Sequence, residues 1–119
     1  MKNETENPIH SSTRILCGRW KPIIMWHLHQ DTFRFGELRR AIPAASQKML
    51  TQQLRELEHD GLVHRKVYTQ VPPKVEYSLT TYGHGAMPIL DSLYVWGKHH
   101  QQSSPTFPPE LKFECHECS

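Results

Sequence analysis

The 119-residue sequence contains no long apolar run and no secretory signal. Crossing a bilayer takes about 20 consecutive apolar residues, and no segment approaches that length. The chain begins with polar residues of mixed charge, Met1-Lys2-Asn3-Glu4-Thr5-Glu6-Asn7, which lack the apolar core of a signal peptide. We therefore expect a cytoplasmic protein of about one domain that has no membrane partner.

The sequence also lacks the side-chain arrangements that mark an active site. It has no paired carboxylates, no nucleophile with a neighbouring base in a recognisable setting, and no glycine loop that could cradle a phosphate. Its nine histidines are scattered along the chain. These absences argue against an enzyme and against a bound cofactor.

Cysteine is scarce, with one residue at position 17 and two in the tail, Cys115 and Cys118. A single Cys-x-x-Cys motif supplies only half of a four-ligand zinc site. His99 and His100 could supply the other two ligands by residue type, but nothing else in the sequence links them to the motif. We therefore predict no metal site. The motif is expected to lie in a disordered tail or to form an opportunistic disulfide or metal contact.

The net charge of +2 is small, but the charges are unevenly distributed. Residues 14–74 hold eleven lysines and arginines against five acids, whereas residues 75–119 carry an excess of three acids. A basic middle is typical of nucleic-acid-binding proteins, although many ordinary solvated surfaces are as basic. Charge alone therefore does not decide the function.

Hydrophobic periodicity and cap residues predict four helices in the first half of the chain. They cover residues 9–16, 20–28, 36–42 and 46–60. Pro22 fits the first turn of the second helix, and Pro43 ends the third. Ser46 is a suitable N-cap for the fourth helix, and Gly61 supplies its left-handed C-cap.

Two segments of alternating polarity then predict a β-hairpin, with strands at residues 62–68 and 74–79. Phe33-Arg34-Phe35 is long enough only for an edge strand or a bend. A last helix is predicted from Thr80 through about His100, and residues 101–119 are expected to form a flexible tail. This order predicts a mainly α fold with a small β-hairpin wing, the winged helix-turn-helix.

In a helix over residues 46–60, the side chains would divide into an apolar and a polar face. Leu50, Leu54 and Leu57 fall between about 280° and 340° when Gln47 is set at zero. Between zero and about 140° the helix carries a strip of amides, a hydroxyl and cations, whose members are Gln47, Lys48, Thr51, Gln52 and Arg55. Such groups match base edges and phosphates, but any amphipathic helix shows polar residues outside, and Glu58 interrupts the strip.

Several ordered motifs between about residues 8 and 100 resemble those of the HxlR-type transcriptional regulators, which are related to the MarR group. The motifs are Cys17-Gly18-Arg19-Trp20, Phe33-Arg34-Phe35-Gly36-Glu37-Leu38-Arg39-Arg40, Ser46-Gln47-Lys48-Met49-Leu50, Leu54-Arg55-Glu56-Leu57-Glu58-His59-Asp60-Gly61-Leu62-Val63 and Val71-Pro72-Pro73-Lys74-Val75-Glu76-Tyr77-Ser78-Leu79-Thr80. The resemblance implies a homodimeric winged-helix protein, usually a repressor, that binds an inverted repeat in double-stranded DNA.

On this resemblance, residues 46–60 form the recognition helix and residues 68–74 form the wing. The expected DNA contacts are Arg39, Arg40, Ser46, Gln47, Lys48, Thr51, Gln52, Arg55, Gln70 and Lys74. The chain then divides into an N-terminal arm (residues 1–8), the winged helix-turn-helix domain with its dimerisation helix (9–100) and the tail (101–119).

The predicted last helix carries more apolar surface than a small core can cover. One row holds Met87, Leu90 and Tyr94, and another holds Ile89, Leu93 and Trp96. A dimer through the terminal helices would cover this surface, with an expected interface of Ile9, Met87, Leu90, Leu93 and Tyr94. The alternative is that both rows pack within one protomer, against Trp20, Trp26 and Ile9.

Members of this family often sense oxidants through a cysteine that precedes a proline near the N-terminus. In this chain Asn7 stands before Pro8, so Cys17 remains as the candidate sensor. Arg14, Arg19 and Lys21 are near it in sequence, and positive charge can lower a thiol pKa. Cys17 could equally be a small buried residue between helices.

Two functions follow from these patterns. The first is a sequence-specific DNA-binding transcriptional regulator, a homodimeric repressor of an inverted-repeat operator, with redox or electrophile response through Cys17 as a further expectation. The alternative is a winged-helix protein-interaction module without sequence-specific DNA binding, whose association with duplexes would be weak and indifferent to sequence.

Overall fold

The computed structural model describes residues 7–103 and confirms a mainly helical fold with a small antiparallel sheet. The elements in chain order are α1 (Pro8–Leu16), α2 (Lys21–Gln30), β1 (Phe33–Arg34), α3 (Phe35–Ala41), α4 (Gln47–His59), β2 (Val63–Tyr68), β3 (Lys74–Leu79), α5 (Thr81–His84) and α6 (Met87–Ser103). Between residues 7 and 103, no helix is both long enough and apolar enough to cross a bilayer.

Helix α4 begins and ends where its cap residues predict. The hydroxyl oxygen of Ser46 accepts a hydrogen bond from the backbone N–H of Met49 (3.1 Å). At the other end Gly61 adopts a φ of 83°, which an L side chain rarely adopts. The Gly61 N–H then donates to the Glu58 carbonyl and the Leu62 N–H to the Leu57 carbonyl, the paired bonds of a Schellman cap.

The leucine face of α4 lies in the core of the domain. Leu50, Leu54 and Leu57 are each at most 2% exposed. They share one apolar cluster with residues of α2 and α3, among them Ile24 and Leu38, which are completely buried. The predicted orientation of α4, with its leucines inward and its polar strip outward, is therefore confirmed.

Three strands form the sheet in the order β1-β3-β2, and every pair is antiparallel. The sheet is buried at its base, where Val63 pairs with Leu79, and β1 adds Phe33 opposite Tyr77. Its far end is open to solvent, and Val71, before a cis peptide bond to Pro72, is 98% exposed. The hairpin therefore projects from the core as a wing.

The prediction of one continuous helix from Thr80 to about His100 is wrong. The structure has the short helix α5 and then α6, with Gly85 and Ala86 between them. Pro88 explains the break, because it has no N–H to donate to the carbonyl of His84 in a continuous helix. Helix α6 also extends to Ser103, so the first residues of the predicted tail are helical, and the rest of the tail lies outside the described residues.

The expected dimer surface also needs a correction. Met87 and Leu90 are only 3% exposed because they pack in the protomer's own core, and they are not available to a partner. Ile9, Leu93 and Tyr94 remain exposed, and Tyr94 stacks on Trp26 of α2 with ring centroids 4.8 Å apart. The outer side of α6 adds Ile89, Val95 and Trp96, each at least half exposed.

Candidate nucleic-acid interface

The polar strip of α4 lines a single open groove. Its walls are Gln47, Lys48, Thr51, Gln52, Arg55 and Glu56, and its volume is about 690 Å³. Gln47, Lys48, Gln52 and Arg55 are exposed, while Thr51 is half-buried. The structure thus brings together on one helix face the five residues that the sequence placed on the strip.

Two residues of this groove are held by neighbours from the same region. Arg39 of α3 donates from Nη1 to Oε1 of Gln47 (3.4 Å), so the two helices of the helix-turn-helix are linked at the entrance to the groove. Gln52 donates from Nε2 to Oε2 of Glu56, also at 3.4 Å and one helical turn further on. Each of the two glutamine side chains therefore has one polar partner within the protein.

Glu56 is the residue of this site that sequence reasoning missed. Its carboxylate pairs with the buried Nζ of Lys21, the first residue of α2, at 2.6 Å. The hydrogen bond from Lys21 holds the pKa of the Glu56 carboxyl below its usual range, and Gln52 contributes in the same direction. The spacing of Gln52 and Glu56 in the sequence could have indicated their contact. The approach of Lys21 depends on tertiary packing.

The other expected contacts on the helix-turn-helix lie at its edge. Arg39 and Arg40, in the last turn of α3, are both exposed. Ser46 is exposed as well, but its hydroxyl oxygen is engaged in capping α4. Its O–H can still donate to a phosphate oxygen without breaking that cap.

The wing carries a second group of polar side chains, centred on Tyr68. Its hydroxyl donates to Glu76 (2.8 Å), and the ammonium groups of Lys66 and Lys74 lie 4.9 and 4.7 Å from its ring centroid. Lys74 also pairs with Glu76 at 3.3 Å. The hydrogen bond from Tyr68, with Lys74 beside it, lowers the pKa of the Glu76 carboxyl.

Lys74, one of the expected DNA contacts, therefore has partners within the wing, and three quarters of its side chain is covered. Gln70, near the tip of the wing, is exposed. These two residues lie outside the α4 groove, whose lining comes from one helix. Lys66 was not among the expected contacts, but its position on β2 gives the wing an exposed cation.

Cys17 is exposed, so its interpretation as a buried packing residue is wrong. It follows α1, where its backbone N–H donates to the carbonyl of Thr13 (2.9 Å). Two of the cations expected beside it have other partners: Arg19 stacks on the ring of Trp20 (4.3 Å), and Lys21 pairs with Glu56. The thiol thus lies in an open turn between α1 and α2.

No cluster of three or more histidine, cysteine or acidic side chains suitable for a metal ion occurs among residues 7–103. His29 and His84 form an edge-to-face pair, with ring centroids 5.5 Å apart. Cys115 and Cys118 lie outside the described residues.

Known proteins of similar sequence are transcriptional regulators. The HTH-type transcriptional regulator YdeP of Bacillus subtilis is 47% identical over 94 residues, which cover 79% of this chain and 73% of YdeP. The crystal structure of the HTH-type regulator YtcD, also a Bacillus subtilis protein, is 48% identical, covers 81% of this chain and 98% of that one, and has a TM-score of 0.77.

The redox regulator HypR is similar in both of its solved forms. The reduced form is 44% identical, with a TM-score of 0.80, and the match covers 85% of this chain and all of the HypR chain. The oxidised form is 49% identical, with a TM-score of 0.75, over 77% of this chain and 95% of that one. The sequence profile of the HxlR-like helix-turn-helix family matches residues 15–105. These matches agree with the motifs and the geometry, and the chain belongs to the HxlR-like helix-turn-helix family of DNA-binding transcriptional regulators.

Proposed function

We propose that this regulator binds an inverted-repeat operator as a homodimer, through α4 in the major groove, and represses transcription from the promoter that contains it. The observation that carries the proposal is the outward polar groove of α4. The leucines of α4 are buried in the core, so Lys48, Thr51 and Arg55 lie on the outer face, where DNA could contact them. The proposal includes no cofactor, and it includes a cytoplasmic location, where a DNA partner would be available.

The side chains of the groove suit the major groove of DNA. Lys and Arg pair with the acceptors of guanine or with phosphate, Gln pairs with adenine, and Thr contacts a phosphate oxygen or a thymine methyl group. Glu56 is the one acid that lines the groove, and Lys21 compensates its charge. Phosphate groups would therefore meet no uncompensated anion there.

The exposed apolar residues at the ends of the domain support the dimer. Ile9 of α1 and Leu93, Tyr94 and Trp96 of α6 are each more than half exposed, which is unusual for a monomer surface unless a partner covers it. A two-fold axis through these helices would place the two copies of α4 in successive major grooves, about 34 Å apart. Operators with inverted repeats follow from that symmetry.

Binding of the purified chain to a duplex from its own promoter region tests the proposal. We expect two chains per duplex and preference over a scrambled duplex, because each α4 would read one half-site. Affinity should fall steeply with salt concentration, since phosphate contacts release counterions. Fluorescence anisotropy titrations at several salt concentrations measure the preference and the salt dependence, and a titration at a duplex concentration well above Kd gives the stoichiometry. Equal affinity for the scrambled duplex would instead favour the protein-interaction module.

We further propose that Cys17 makes operator binding responsive to oxidants. HypR is a redox regulator, and the thiol of Cys17 in this chain is open to solvent. A bulky mixed disulfide at the turn that leads into α2 would disturb the packing of α2 against α4.

In thiol–disulfide exchange, Sγ of Cys17 attacks glutathione disulfide, bonds to one glutathione sulfur and releases the other glutathione as a thiol. This treatment should lower operator affinity of the wild-type protein about tenfold or more, since a change in packing typically costs one to a few kcal/mol. The Cys17→Ser variant should keep its affinity under the same treatment. A variant with Cys115→Ser and Cys118→Ser serves as the matched control and should still respond. An unchanged response in Cys17→Ser would dismiss this thiol as the sensor.

A further inference from the structure

The two glutamines of the α4 groove are held by partners with opposite hydrogen-bonding capacity. Gln47 meets the guanidinium of Arg39, and Gln52 meets the carboxylate of Glu56. A primary amide can turn either its oxygen or its nitrogen toward a neighbour, so an isolated glutamine is an ambiguous reader of bases. In this groove each partner favours one of the two orientations.

Arg39 fixes the amide of Gln47 with its nitrogen outward. A guanidinium has five N–H donors and no acceptor, so only the oxygen of the amide can face it. The structure has this arrangement, with Nη1 of Arg39 3.4 Å from Oε1 of Gln47. The Nε2 group at the other end of the amide, which carries two N–H donors, is left for a ligand.

Glu56 fixes the amide of Gln52 in the opposite sense. An ionised carboxylate only accepts hydrogen bonds, so the amide must turn its nitrogen toward it, as the 3.4 Å contact from Nε2 to Oε2 shows. The buried ammonium of Lys21, 2.6 Å from the other carboxylate oxygen, keeps Glu56 in its charged form. The free end of Gln52 is therefore its carbonyl oxygen, an acceptor.

We infer that Gln47 and Gln52 read bases of opposite character, with Arg39 and Glu56 as their positioning residues. In the major groove the exposed donors of Gln47 match guanine, which offers O6 and N7, or thymine, which offers O4. Adenine also offers N7, but its N6 amino donors beside that acceptor make it the poorer match. The exposed oxygen of Gln52 matches the amino groups of adenine or cytosine. This inference rests on the proposed function, because it assigns specificity to the same α4 groove.

The spacing of the two glutamines also predicts where these bases lie. Five residues of helix rise about 7.5 Å, which corresponds to roughly two base pairs of B-DNA. Each half-site should therefore contain two positions about two base pairs apart, one where guanine or thymine is preferred on the contacted strand and one where adenine or cytosine is preferred.

Selection of duplexes from a randomised library by the full-length wild-type chain would first define the operator. Competition binding would then compare duplexes in which one base pair at a time is reversed, for example A·T to T·A. At each of the two positions we expect reversal to weaken wild-type binding on the order of tenfold, the range of one good side-chain–base pairing. Gln47→Met and Gln52→Met should each abolish the preference at one position.

The positioning residues should act selectively on these preferences. Glu56→Gln replaces the acceptor by an amide that allows Gln52 to turn over, so the preference at the Gln52 position should fall to about twofold or less while that at the Gln47 position persists. Arg39→Met should have the reverse effect, and Arg39→Lys, which keeps a donor, should retain the preference. A purely structural role would weaken binding to all duplexes equally.

Glu58→Gln is the matched control, because it removes an exposed acid from the same helix outside the groove, and it should leave both preferences unchanged. The inference is overturned if Glu56→Gln and Arg39→Met leave both preferences intact, or if the glutamine variants change no position. A wild-type chain that selects no sequence at all would overturn the proposed function, and the inference with it.

Discussion

Replacing Lys48 and Arg55 together by alanine is expected to abolish operator-specific binding without unfolding the protein. Both side chains are exposed cations that line the α4 groove. A cation that contacts a base contributes about 1–3 kcal/mol, so the loss of two should weaken binding on the order of a hundredfold or more. Anisotropy titration of the selected operator at fixed salt measures the loss, and thermal melting reports the fold.

The loss of two positive charges would by itself weaken DNA binding. A control is therefore needed to distinguish this electrostatic effect from the loss of specific contacts to the operator. Lys98→Glu changes the net charge by the same two units, on exposed surface of α6 outside the groove. We expect it to weaken binding to every duplex by a similar small factor. If the double variant loses no more affinity than Lys98→Glu, or keeps its preference for the operator, the assigned face of α4 is wrong.

Replacing Leu54 by alanine should destabilise the domain severely. Leu54 is 2% exposed in the middle of α4, between Leu50 and Leu57 in the central cluster. Removing most of a buried leucine side chain loses its transfer free energy and leaves a cavity, which together cost about 2–5 kcal/mol. Urea unfolding at one fixed protein concentration measures this change, because the stability of a dimer depends on concentration.

Arg55→Ala is the control for this experiment, since it alters the next residue of the same helix on the exposed side. Its effect on the free energy of unfolding should stay within about 0.5 kcal/mol, as is usual for surface substitutions. We therefore expect Leu54→Ala to reduce stability and Arg55→Ala to reduce DNA affinity. A Leu54→Ala variant as stable as Arg55→Ala would show that α4 is not anchored through its leucines.

The recognition face could be predicted from the sequence because it depends on local information. The position of Ser46 and Gly61 sets the ends of α4, and the spacing of its leucines sets which side turns inward. Gln47, Lys48 and Arg55 then had to project outward. With so regular a spacing of leucines, tertiary contacts are not expected to change which side of α4 faces the core.

The orientation of the last helix could not be predicted in the same way. Its two apolar rows were evident, but a helix that is apolar on more than one side does not indicate which row faces its own core. The structure turns Met87 and Leu90 inward and leaves Leu93 exposed. The break before α6 does have a local signal in Pro88, which cannot donate a backbone hydrogen bond within a helix.

The contacts that Arg39 and Lys21 make with residues of the groove could not be predicted from the sequence, for a different reason. Arg39 and Gln47 belong to separate helices, and Lys21 approaches Glu56 from a third, so their meeting depends on how α2, α3 and α4 are packed. No periodicity within one segment contains that information. Only the pairing of Gln52 with Glu56, four residues apart on α4, was available beforehand.

The stack of Trp26 on Tyr94 gives the molecule an intrinsic optical reporter. Trp26 belongs to α2, which packs against both α4 and α6. The fluorescence emission of a tryptophan depends on what lies against its indole ring. A displacement of α6 relative to α2 should therefore change the fluorescence of Trp26 without any attached label. Trp20, buried under Arg19, and Trp96, open to solvent, report different surroundings and can be replaced to isolate the signal.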